Sequence, residues 1–96
     1  MNTFSTLLSK RAEILALAAK HGASNVRLFG SVARGEDSEG SDVDFLVDMQ
    51  ETSSLFDLIG LQQDIEKVLG RKVDVLTPDG INRYLKERIL GEAAPL

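Results

Sequence analysis

Residues 42–47 read DVDFLV, with apolar and acidic side chains in partial alternation. Successive side chains of a strand point to opposite faces. Val43, Phe45 and Val47 therefore share one face, and Asp42, Asp44 and Leu46 share the other. The pattern predicts a strand with one buried side and two carboxylates together on the opposite side, near its start. Asp is a poor strand residue, so this placement asks for a reason beyond packing.

The flanking segments fix what the strand can join. Residues 26–30 (VRLFG) read as a short strand running into a possible helical turn at residues 31–34, and residues 36–41 (EDSEGS) form a polar loop. That tight connection makes strands 26–30 and 42–47 antiparallel. Ser54 with Asp57 resembles a capping box. Behind it Leu55, Leu58, Ile59, Leu61, Ile65, Val68 and Leu69 form a helical stripe closed by Gly70. Residues 72–76 (KVDVL) are a third strand, with Val73 and Val75 on one face and Asp74 on the other. Joined to strand 42–47 through a helix, it should run parallel to it with a right-handed crossover. A first helix is predicted over residues 2–21, with Arg11 interrupting its stripe and Gly22 stopping it. A turn follows at Pro78-Asp79-Gly80, and a last helix over residues 81–90. The expected fold is α/β (α+β): a small mixed sheet of about three strands flanked by helices, in one domain spanning residues 1–96.

Composition bounds the function. A chain of 96 residues holds one modest core, burying roughly 60–65% of its unfolded surface. Eleven basic against fifteen acidic side chains give a net charge of −4, which argues against direct nucleic-acid binding and against an anionic membrane surface. There is no Cys, so disulfides, thiolate metal sites and cysteine catalysis are excluded. The longest apolar run, residues 14–19, is far short of the ~20 residues that cross a bilayer, and the N-terminus lacks a charged-then-apolar signal pattern. The expectation is a soluble cytoplasmic domain. With His21 as the single His, any metal site would use oxygen ligands.

Asp42, Asp44 and Asp74 are thus brought toward one side of adjacent strands. Clustered carboxylates repel, and a divalent cation relieves them. Mg²⁺ prefers oxygen ligands, and two such ions can clamp the attacking and leaving oxygens of a displacement at phosphorus. Taken alone, Asp-x-Asp has a plainer reading: Asp42 caps its own backbone, and Asp44 faces solvent, as does Asp48. Upstream, Gly30 and Ser31 open a possible helical turn. Gly lets backbone approach an anion, N–H groups and the Ser31 hydroxyl can bind phosphate oxygens, and Arg34 can add a contact to phosphate or a salt bridge to the acidic cluster. Alone, this too reads equally as a structural turn. It lacks both the P-loop ending and the three-glycine dinucleotide spacing.

Together, GSVARGEDSEGSDVDFLV resembles the signature of the minimal nucleotidyltransferases, a branch of the DNA polymerase beta-like superfamily. Gly30, Ser31, Ala33, Arg34, Gly35, Ser41, Asp42 and Asp44 meet the family pattern. Phe45 stands where Leu is usual, and Asp74 matches the third family carboxylate. The resemblance implies that Gly30 and Ser31 grip the β- and γ-phosphates of ATP, supported by Arg34. It also implies that Asp42 and Asp44 bind two Mg²⁺ ions, and that Asp74 completes the catalytic ion and helps deprotonate an acceptor hydroxyl. Stand-alone proteins of this type resemble the antitoxin of a toxin–antitoxin pair, whose partner is a helical ribonuclease toxin of the HEPN family that receives AMP on a tyrosine in a hetero-oligomer. Three other readings stay open: an antitoxin that acts by binding alone, a nucleotidyltransferase for RNA or a small molecule, and an α/β domain with an accidental motif. Of the remaining residues, His21 reads as a helix C-terminal partner, Tyr84 as packing for the last helix, and Phe4, Phe29, Phe45 and Phe56 as core or interface. Arg83, Lys86 and Arg88 read as a solvated face.

Overall fold

The computed structural model describes residues 3–38 and 40–96. Its elements run α1 (Thr3–Ser9), α2 (Arg11–Lys20), β1 (Ala23–Phe29), α3 (Gly30–Arg34), β2 (Val43–Met49), α4 (Leu55–Leu69), β3 (Val73–Leu76), α5 (Arg83–Glu92) and β4 (Ala94–Pro95), with a 3₁₀ turn at Pro78–Gly80. The sheet order is β3-β2-β1-β4. As the connection lengths require, β1 and β2 are antiparallel, and β2 and β3 are parallel across α4. The mixed sheet has one strand more than expected. Ala94 and Pro95 add a short antiparallel edge to β1, opposite Leu28 and Arg27. A proline is tolerated at such an edge, and nothing in its composition marks it as a strand.

One face of the sheet makes the core. Leu28, Val43, Phe45, Val47, Val73 and Val75 meet Leu7, Ile14 and Ala18 of α1 and α2 and Leu61 and Ile65 of α4. Ser54 N–H donates to the Asp57 carboxylate at 2.9 Å to start α4, and Gly70, at φ +65°, ends it. The first helix is not continuous. It breaks at Lys10, where Arg11 leaves the apolar stripe, and Leu7 and Ile14 are fully buried on either side of the break. Asn2, placed in that helix by the sequence, lies outside the described residues. His21 ends α2 as expected and also reaches across it, with Nε2 2.7 Å from the Asp64 carboxylate of α4.

The other face departs from the simple alternation. Leu46 is fully buried there, between Arg27 and Leu76 in register, so β2 buries apolar side chains on both sides. Asp48 is not a plain solvated residue either, since Arg27 Nη2 donates to it at 2.8 Å and Asn25 Nδ2 at 3.0 Å. Phe45 and Phe29 are buried, whereas Phe4 and Phe56 are exposed, Phe56 at 84%. Tyr84 does not pack the last helix. It is 79% exposed, because α5 has no buried residue, and the Arg83 guanidinium lies 5.1 Å from its ring.

Candidate active site

The site begins where β1 turns into α3. Gly30 has φ +76°, a conformation side chains resist, and a Cβ there would stand 2.2 Å from Asp44 Oδ2. Glycine is the residue that lets this backbone lie against a carboxylate. The turn is held in place by its neighbours: Phe29 pairs with Asp44 across the β1–β2 ladder, and Val32 of α3 is buried in the core. Ser31 follows Gly30 at the start of the turn, with its residue partly exposed.

Asp44 and Asp74 are direct partners in the parallel β2–β3 register, both on the face opposite the core. Asp42 stands one residue before β2, with its carboxylate 3.8 Å from Lys72 Nζ in an exposed ion pair. The crowding shows in Asp44. Burial first, then the charges of Asp74 and Asp42, push its pKa up to about 6, against a smaller opposing pull from Arg34. The structure brings Asp44 and Asp74 together in register, and Asp42 lies near enough for its charge to act on Asp44. Among the described residues no three His, Cys, Asp or Glu side chains form a closed metal chelate. The chemistry of the Asp44–Asp74 pair still suits a hard divalent cation: oxygen donors only, one of them held in an environment that resists its charge, beside a backbone with no Cβ in the way.

Arg34 does not bridge to the acidic cluster. Its Nε donates to Glu36 Oε2 at 3.1 Å, and its Nη1 donates to Glu92 Oε1 at 3.1 Å and Oε2 at 3.2 Å. Glu92 also accepts the Gly30 N–H at 2.9 Å. Sequence reasoning missed Glu92, which is 62 residues from Gly30 and carries no local motif. It also missed Arg71, whose Nη1 donates to Thr3 Oγ1 at 2.7 Å and whose Nη2 donates to the carbonyls of Ser38 and Ser41. Arg71 thereby pins the polar loop that delivers Asp42, and it lines a groove of about 690 Å³ whose walls include none of Asp42, Asp44 and Asp74.

The arrangement of backbone N–H and hydroxyl donors beside paired carboxylates suits the binding of a phosphate–cation complex. Comparison with known proteins agrees. The nucleotidyltransferase domain model matches residues 12–95. A candidate protein adenylyltransferase of Methanocaldococcus jannaschii is 47% identical over 83 residues, 86% of this chain and 89% of the relative. The protein adenylyltransferase MntA of Thermococcus cleftensis is 37% identical over 76 residues, 79% of this chain and 77% of the relative. A solved structure described as a minimal nucleotidyltransferase superposes with a TM-score of 0.87 at 46% identity, covering 96% of this chain and 94% of that one. A toxin–antitoxin structure with AMP-PNP shares the fold at TM-score 0.74 and 21% identity, covering 88% of this chain and 69% of that one. Among the described residues no helix is long and apolar enough to cross a membrane. The chain is a transferase enzyme and belongs to the nucleotidyltransferase domain family, as a minimal nucleotidyltransferase of the DNA polymerase beta-like superfamily.

Proposed function

We propose that this chain transfers AMP from ATP to a hydroxyl of a partner protein, a tyrosine of a HEPN-family ribonuclease toxin, and acts as its antitoxin in the cytoplasm. The observation that carries the reading is the pairing of Asp44 with Asp74 on the sheet face opposite the core, with the Gly30 backbone set against Asp44. The names of the relatives, protein adenylyltransferases and a toxin–antitoxin complex, support the choice of nucleotide and acceptor class.

In this reading the Gly30 and Ser31 N–H groups and the Ser31 hydroxyl hold the β- and γ-phosphates, with Arg34 adding charge. Asp42, Asp44 and Asp74 are the residues that would hold two Mg²⁺ ions. Bound Mg²⁺ supplies the positive charge that offsets the phosphates and the carboxylates. Asp74 also takes the proton of the acceptor hydroxyl. The hydroxyl oxygen forms a bond to the α-phosphorus, the bond from that phosphorus to the β-phosphate oxygen breaks, and pyrophosphate leaves. The chain contributes chiefly positioning and charge placement, as phosphoryl transfer requires.

The test is incubation with ATP, Mg²⁺ and a HEPN-family toxin as partner, followed by intact mass. Addition of AMP to the partner, abolished by Asp42→Ala and by Asp44→Ala, is the expected result. Neutralisation of the partner without added mass would show binding alone. Label on RNA or a small molecule, and on no protein, would move the acceptor to that class. Transfer that survives both substitutions would end the site assignment.

A further inference from the structure

The donors assigned to the nucleotide already hold an anion that belongs to the chain. Gly30 N–H and Arg34 Nη1 both donate to the carboxylate of Glu92, at 2.9 Å and 3.1 Å. The Glu92 side chain is 19% exposed, and these donors, the Gly30 amide foremost, hold its pKa below the usual carboxylate range. Its neighbourhood is fastened. Two residues on, β4 pairs with β1, Leu96 N–H donates to the Val26 carbonyl at 3.0 Å, and Arg11 Nε donates to the Leu96 carbonyl at 2.7 Å. The carboxylate is therefore delivered to the turn at high effective concentration.

Two further facts mark this contact as more than a fastening. Gly30 lies between two carboxylates, Asp44 packed against its backbone and Glu92 on its N–H. A scaffold contact has no need to add negative charge beside an acidic cluster. A carboxylate and a phosphate are also acceptors of the same kind, and one N–H cannot serve both at full strength.

We infer that Glu92 is a tethered competitor of the nucleotide: a phosphate oxygen of the incoming triphosphate displaces its carboxylate from Gly30 and Arg34, and Glu92 thereby sets the nucleotide affinity. The inference rests on the reading that this turn holds the triphosphate. Exchange also unlinks the end of α5 from α3, so nucleotide occupancy changes how the C-terminal segment is held.

The test uses the full chain as wild type, Glu92→Gln and Glu92→Ala, with ATP and Mg²⁺ measured by calorimetry and stopped flow. Removing a competing closed state raises the competent fraction, so the dissociation constant falls about fivefold in both variants. The gain sits in the association rate, with dissociation little changed. Inorganic tripolyphosphate, which has neither base nor ribose, shows the same gain. Affinity that is unchanged or weaker in variants that still unfold cooperatively would overturn the inference and leave Glu92 as a support for the turn. If Glu92→Ala fails to fold, Glu92→Asp, which withdraws the carboxylate by one methylene, serves in its place. Failure of wild type and every variant to bind either ligand would instead overturn the phosphate-site reading itself, and this inference with it.

Discussion

Replacing Asp44 by Asn should remove activity and make the metal-free protein more stable. Asp44 is held at a pKa of about 6 instead of its ordinary 3.8, by burial and then by Asp74 and Asp42. For a carboxyl raised in the folded state, the penalty exists where the group is ionised. It is complete above about pH 6, fades between that and the ordinary value, and is absent below it. The full difference corresponds to about 3 kcal/mol at neutral pH. The side chain is only half-buried, so solvent screens part of it, leaving about 1–2 kcal/mol. Asn keeps the shape without the charge. In a domain of this size the gain should appear as a melting temperature higher by about 5–10 °C, in chelator, at about pH 7.5. At about pH 4, close to the ordinary value, the carboxyl is protonated in the folded chain and largely so in the unfolded one, and the gap should nearly close. Addition of Mg²⁺ should stabilise the wild type and leave Asp44→Asn unmoved. Thermal melts followed by circular dichroism at both pH values decide it. An Asn variant no more stable at neutral pH, or one equally stabilised at both, would refute the claim that charge crowding at Asp44 is built into this sheet.

Gly30→Ala should destabilise the domain by about 2 kcal/mol or more and abolish nucleotide transfer, since a side chain at φ +76° would be driven into Asp44; chemical denaturation and a transfer assay check both. Arg71→Met should lose about 2 kcal/mol by freeing the Ser38 and Ser41 carbonyls, and should speed proteolysis within the loop at residues 36–41. The hydrogen bond from His21, and then Lys20, holds Asp64 below the ordinary carboxylate range. Its contribution is complete above its ordinary value and is lost as pH falls through the lowered one. Asp64→Asn should therefore lower the melting temperature at neutral pH and lose that effect in strong acid.

How much of this was legible in the sequence depends on how local each signal is. The two-residue period of DVDFLV and KVDVL put Asp44 and Asp74 on the solvent side of adjacent strands, and the register joins them as direct partners. The Gly30–Arg34 turn and the Ser54 cap are also local chemistry, read from neighbours in sequence. Leu46 escaped because alternation sorts side chains by face and says nothing of what covers the second face. The two-residue strand β4 escaped because its pairing is supplied by β1, with no propensity of its own.

Glu92 and Arg71 escaped for a deeper reason. Each acts on the site across a long sequence separation, and each is an ordinary charged residue on or beside a polar element. What distinguishes them is the partner. Arg71 ends on backbone carbonyls of the loop that carries Asp42, which fixes where a carboxylate stands. Glu92 ends on the donors of the Gly30 turn, which fixes whether those donors are available. The candidate acids can be found from strand period and motif. The residues that hold the Gly30 turn and the Asp42 loop can be found only once the chain has folded back on itself, so a test of this site has to reach the C-terminal segment as well as the motif.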